Sequence, residues 1–294
     1  MTISHVLKGH EKDLGGGFMV RRYLPSVVKQ AVGPFIFFDH FGPVDVKPED
    51  NHDVRPHPHI GLATVTYLFE GAIEHRDSIG SLQRIEPGAI NWMTAGSGVV
   101  HSERTPKDLV GKPHRTHGLQ LWAALPKAHE ETEAAFAHTA AEEIPELEVQ
   151  GAKVRVLIGS AFGRTSPVAT FSQTLYLDVQ LQEGQELGLS GLPEEAAVYP
   201  ISGELEIDGT ALALHTMALL DTRSSQRVLA RSTARFVVIG GEPLDGHRFM
   251  LWNFVSSSKE RLLQAASDWD AQRFPKVPGE TEWIPLPQNT PRAS

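Results

Sequence analysis

From Val20 to about Leu125 the chain never sustains an apolar run for long, because Gly33-Pro34, Gly42-Pro43, Glu70-Gly71 and Glu86-Pro87-Gly88 cut it into short segments. Glycine opens the backbone to tight turns and proline removes an amide donor, so this punctuation favours short strands over long helices. An antiparallel β-barrel or sandwich is expected. The 26 Gly and 20 Pro extend the same bias over the whole chain.

A second β-rich segment runs from Ala152 to about Gly241. Leu175, Leu177, Val179 and Leu181 alternate with Thr174, Tyr176, Asp178 and Gln180, the period of two that marks a strand with one buried face. Asp208-Gly209 after the alternating Leu205-Glu206-Ile207 predicts a hairpin turn. The two β segments are of similar size, which suggests duplication of one barrel. Between Pro126 and about Glu148 the text changes to Ala, Glu, His and Thr, and we read it as a partly helical connection. Near the end, Ser257 and Glu260 form a capping box, and Leu262, Ala265, Ala266 and Trp269 then share one helical face, with Phe274-Pro275 ending the helix. The organisation expected is an all-β chain: a first barrel over 1–130, a connection over 131–150, a second barrel over 151–245, and a helix with tail over 246–294.

Charge and composition narrow the chemistry. Lys and Arg number 27 against 36 Asp and Glu, a net charge of −9, which opposes direct binding to nucleic acid or to an anionic membrane surface. No apolar run reaches the length of a signal peptide core or a membrane span, so a soluble cytoplasmic protein is expected. Cysteine is absent, which removes disulfides, thiolate nucleophiles and sulfur-ligated metals together. Any metal must be held by nitrogen and oxygen.

Two histidine motifs fit that requirement. Arg55-Pro56-His57-Pro58-His59 places His57 and His59 at i and i+2, on one face of an extended chain that the prolines stiffen. About forty residues on, His101-Ser102-Glu103 repeats the spacing. On neighbouring strands the two pairs would point three imidazoles and one carboxylate inwards, a set that suits Fe(II), Mn(II), Co(II), Ni(II), Cu(II) or Zn(II) and leaves positions open. Other histidines read differently. His114 and His117 lie among Gly111, Pro113 and Gly118 and look like loop residues; His75, between Glu74 and Arg76-Asp77, looks like a solvated strand face; His52 and Asp53 could stand near the barrel mouth. His215 is the histidine of the second β segment and has no paired ligand set. No phosphate-binding loop occurs, the Gly15-Gly16-Gly17 run opens no helix, and Gly96-Ser97-Gly98 lacks hydrolase-elbow spacing and reads as a tight turn.

These residues resemble a known family. Pro56-His57-Pro58-His59-Ile60-Gly61, Tyr67-Leu68-Phe69-Glu70-Gly71, the run from Pro87 through Trp92 to Glu103, and Gly118-Leu119-Gln120-Leu121-Trp122 are similar to pirin, in the cupin superfamily. Ala161-Phe162-Gly163, Ser166-Pro167-Val168 and the tail from Trp252 to Arg261 extend the resemblance over nearly the whole chain. It implies a bicupin, two tandem cupin β-barrels, with one divalent metal, Fe(II), in the first barrel. The ligands it implies are His57, His59, His101 and Glu103. Typical pirins carry a Glu shortly after the His pair, whereas Gly61-Leu62-Ala63-Thr64 has none here. The activity implied is that of a quercetin 2,3-dioxygenase, which opens a flavonol ring with O2 and releases carbon monoxide, Glu103 accepting the hydroxyl proton. The alternative implied by animal pirin is an iron-dependent, redox-responsive regulator that acts through a protein partner.

Overall fold

The computed structural model describes residues 2–15 and 17–293, so Gly16 of the triple-glycine run lies outside the described residues. Strands dominate, and one α-helix, Lys259–Asp270, is present among the described residues. The chain divides into two compact units: Met1–His10, Arg21–Phe38 and Thr139–Leu244 form one, and Glu11–Val20, Asp39–His138 and Asp245–Ser294 form the other. They are interleaved in sequence, where contiguous segments 1–130, 131–150, 151–245 and 246–294 were expected. The reason lies in strand pairing. Ile3–Lys8 runs antiparallel to Thr216–Leu220, more than 200 residues away, and so completes the barrel formed by the second half of the chain.

That barrel combines a seven-stranded sheet with a four-stranded one. Its interior is mainly aliphatic, with Val154, Leu177, Val198 and Val238 of the larger sheet meeting Leu187, Leu205 and Val228 of the smaller. In the strand Thr174–Leu181 the predicted alternation holds for the leucines, but Tyr176 and Asp178 are buried as well, so both faces of this strand are covered. Asp178 pairs with Arg235 on the neighbouring strand, at 2.9 and 2.5 Å, which satisfies a carboxylate that would otherwise be costly to bury. Asp208 and Gly209 form the expected hairpin between Leu205–Ile207 and Thr210–Leu212. Their φ of 45° and 80° are those that a two-residue turn with the right twist requires.

The other unit repeats the plan with a seven-stranded and a four-stranded sheet. The smaller sheet runs Val54–His59, Val99–Arg104, Ile73–Asp77, Leu82–Ile85. Leu62–Glu70, His114–Ala124 and Ile90–Thr94 are neighbours in the larger. The Gly96-Ser97-Gly98 segment is a tight turn, as expected, joining Ile90–Thr94 to Val99–Arg104 with Gly98 N–H donating to Ala95 C=O.

The helix covers this barrel. Leu262, Ala265, Ala266 and Trp269 pack with Ile60, Val100 and Phe254, the face expected from the sequence. Its cap is one residue later than expected: Ser258 accepts from the N–H of Arg261, while Ser257 gives both its N–H and hydroxyl to Glu130. The helix also stops at Asp270, before Phe274-Pro275, where Gln272 turns to a φ of 54°. The helical character expected between Pro126 and about Glu148 reduces to one 3-10 turn, Lys127–His129, with strands at Ala135–Thr139 and Glu146–Val149. Tertiary contacts override propensity there: Glu130 anchors the serines before the helix, and Thr132 C=O accepts from Ser97 N–H.

Glu130 meets Arg248 in a buried ion pair at 2.6 Å, their side chains only 6% and 2% exposed. Arg248 also donates to the carbonyls of Gly246 and Leu125. Removing one partner leaves the other charge buried and unmatched, which outweighs any benefit of the pair itself. Glu130→Ala should therefore destabilise the protein by about 3 kcal/mol, read as a lower urea midpoint at unchanged slope. A midpoint unmoved by the substitution would show that Arg248 finds sufficient partners in Asp245 and the two carbonyls.

Candidate metal centre

His57 and His101 stand directly opposite one another on antiparallel strands, and His59 stands opposite Val99. The two i, i+2 pairs are thus neighbours, and their imidazoles gather on the barrel's inner face. Ligating atoms of His57, His59 and His101 lie within 4.8 Å of each other, and all three residues are buried. Among the described residues this is the group of three or more potential ligands that the fold assembles.

Hydrogen bonds orient two of the rings. His57 Nδ1 lies 2.9 Å from Arg55 C=O and His59 Nδ1 3.2 Å from Asn253 C=O. A carbonyl only accepts, so each Nδ1 carries the proton and each Nε2 keeps a lone pair. His59 Nε2 and His101 Nε2 are 3.1 Å apart. Two nitrogens each about 2.1 Å from a shared ion would subtend an angle of roughly 95° at that separation, which is compatible with an octahedral site. Trp122 meets His59 edge-on with ring centroids 5.0 Å apart, closing one side.

Burial keeps these imidazoles neutral. It lowers His57 to about 4, and it holds His59 and His101 well below the ordinary histidine range, with neighbouring imidazoles adding to the effect. Neutral nitrogens are what a divalent metal needs, since a protonated ring cannot coordinate. The donor set therefore fits a metal: three desolvated lone pairs converging from two strands.

Glu103 follows two residues after His101 on the same strand, but the register shifts between them, and Glu103 pairs with Val54. Its oxygens are not part of the tight group. Burial pushes its carboxyl up to about 7.

The strands that carry these histidines are clamped from outside by the tail. Ile284 N–H donates to Pro56 C=O, and Glu280 accepts from Ser102 at 2.8 Å and from Arg104 at 3.0 and 2.5 Å. Gly61, just after the His pair, has φ +68°, and a Cβ there would lie 2.0 Å from Val255 C=O. Only glycine permits that close approach.

Several histidines are placed otherwise than expected. His75 and Asp77 are buried at 3% and 0%, not solvated, because their strand pairs with Val99–Arg104 and faces the same interior. Their i, i+2 spacing was the same signal as in the other two pairs. His117 lies in the strand His114–Ala124, not in a loop, and its buried ring stacks on His40 with the Nε2 atoms 2.7 Å apart. His52 stacks on Phe18 at 5.1 Å. His215 is exposed in a turn of the other unit.

Two β-barrels, each built from a large and a small antiparallel sheet, with a buried histidine group in one of them, define a two-domain cupin. The family model described as pirin matches residues 17–123, and that of the pirin C-terminal cupin domain matches residues 176–275. The chain belongs to the pirin family. It is 44% identical over 291 residues to a pirin-like protein of Caulobacter vibrioides, covering 97% of this chain and 100% of that one. A crystal structure of quercetin 2,3-dioxygenase from Acinetobacter baumannii superposes with a TM-score of 0.90 at 32% identity, covering 96% of this chain and 94% of that one. A bacterial pirin of Escherichia coli, solved in complex with nickel(II), shares the fold with a TM-score of 0.64 at 17% identity, covering 82% and 99%. No helix among the described residues is long and apolar enough to cross a membrane.

Proposed function

We propose that this protein is a dioxygenase that opens the central ring of quercetin-type flavonols with O2, using one divalent metal, Fe(II), held by His57, His59, His101 and Glu103. The observation that carries this reading is the convergence of three buried, neutral imidazoles in a chain so similar to a quercetin 2,3-dioxygenase. The bound metal would supply Lewis acidity and open positions for a hydroxyl oxygen and for O2. The remaining work falls to the protein. His57 and His59, oriented by backbone carbonyls, present fixed Nε2 lone pairs. Glu103, two residues along the strand from His101, would complete the ligand set and take the flavonol's 3-hydroxyl proton. The buried rings of Trp122 and the histidines exclude water, which keeps the electron-rich flavonolate from being quenched by protonation.

The flavonolate supplies the electrons that reduce O2, so no external donor is consumed. Both oxygen atoms enter the ring-opened ester and one carbon leaves as carbon monoxide. Iron-loaded protein given quercetin in air should consume one O2 and release one carbon monoxide per ring opened, and do nothing under argon. Quercetin left intact at full iron occupancy would overturn the reading in favour of a regulatory role through a protein partner.

The ligand set also fixes a pH dependence. In the metal-free protein the imidazoles are already neutral across pH 5.5–8, whereas the Glu103 proton competes with the metal below about 7. Metal affinity should rise about tenfold per pH unit up to pH 7 and flatten above it, measured by chelator competition. A flat profile would remove Glu103 from the ligand set, and a slope of two protons would show that an imidazole is charged in the free protein.

A further inference from the structure

His57 and His59 are each oriented by a backbone carbonyl, but His101 is served by side chains. Its Nε2 faces the cluster, and its Nδ1 lies 3.4 Å from Nδ1 of His75. On the far side of that ring, His75 Nε2 lies 3.0 Å from Asp77 Oδ2. The other Asp77 oxygen accepts the N–H of Ile79 at 3.1 Å and of Ser81 at 2.8 Å, so both carboxylate oxygens act as acceptors. Strand register builds this arrangement, with His101 opposite Asp77 and Glu103 opposite His75. Phe136 stacks on His75 at 4.3 Å and 16° between planes, which holds the ring's orientation.

For neutral imidazoles, the direction of every proton in this chain follows from donor and acceptor capacity. A carboxylate only accepts, so His75 carries its proton on Nε2. A neutral imidazole has one N–H, so His75 Nδ1 holds a lone pair. The atom facing it, His101 Nδ1, must therefore donate, which leaves the lone pair of His101 on Nε2, pointing at the cluster.

We propose that Asp77 and His75 are positioning residues which, through this chain of two hydrogen bonds, fix the tautomer and ring orientation of His101 for metal binding. The inference rests on reading the three-histidine group as the metal centre. It makes His101 the ligand most sensitive to side-chain substitution, because its orienting partner is not backbone.

Asp77→Asn provides a sharp test. The asparagine oxygen must still accept from Ile79 and Ser81, so its NH2 turns towards His75 Nε2 and reverses the chain. His75 would then present Nδ1–H to His101, and the His101 proton would move to Nε2, the atom a metal requires. Zn(II) affinity, measured by chelator competition on the full chain, should fall about 10–100-fold in Asp77→Asn and in His75→Phe. His75→Gln, whose amide can accept from His101 and donate to Asp77, should recover most of the loss. In 15N-histidine spectra of the metal-free protein, His101 should carry its proton on Nδ1 in the wild type and on Nε2 in Asp77→Asn. Wild-type His101 protonated on Nε2, or affinities of Asp77→Asn and His75→Phe within twofold of wild type, would overturn the proposal. Should Asp77→Asn fail to fold, the wild-type spectrum and the His75 pair decide. Wild-type protein that binds no Zn(II) would instead defeat the metal centre itself, whereas the metal-free spectrum reports the tautomer in either case.

Discussion

Metal content of purified His101→Ala protein should fall from close to one ion per chain to roughly a tenth of that. Three imidazoles form the tight group, and removing this one leaves two. The loss reaches further than one ligand, since the cross-strand contact of His101 with His57 and the 3.4 Å contact with His75 both disappear. His215→Ala is the matched control: its ring is exposed and belongs to the other unit, so metal content should be unchanged. Elemental analysis of the two variants beside the wild type decides, and equal metal in all three would sink the assignment.

Glu103→Gln should separate the two tasks given to Glu103. An amide can coordinate weakly through its oxygen but cannot take a proton at neutral pH. Bound iron should fall in part, while flavonol turnover per bound iron drops by about 10²–10⁴, the range general-base removal produces. Turnover per iron that survives the substitution would assign proton removal elsewhere.

How much of this was legible in the sequence depended on how local the signal was. The hairpin at Asp208-Gly209 and the helix face of Leu262, Ala265, Ala266 and Trp269 depend on residues a few positions apart, and both appeared where the text placed them. The three grouped histidines were visible for the same reason, because i, i+2 spacing on a strand is itself geometry. Nothing local announced that Ile3–Lys8 would pair with Thr216–Leu220, since a strand carries no label for a partner two hundred residues away.

His75 was misread for a subtler reason. Glu74, Arg76 and Asp77 surround it with charge, which suggests a solvated strand, but alternation separates the faces. Glu74 and Arg76 bond to one another on one face, while His75 and Asp77 turn inwards. A charged strand beside a buried histidine group can be half interior, and composition averages over the two faces.

The second barrel illustrates the converse. Its two-sheet plan repeats that of the first, yet apolar side chains fill its interior. A duplicated fold thus carries the histidine group once among the described residues, and chemistry follows the residues, not the barrel.

The most direct test of the central claim is the fate of isotopically labelled oxygen. Iron-loaded protein turned over with quercetin under 18O2 in ordinary water should give a ring-opened product carrying two 18O atoms and unlabelled carbon monoxide, with no label acquired from H2 18O in the reverse experiment. One labelled atom in the product, or oxygen drawn from water, would contradict the dioxygenase account.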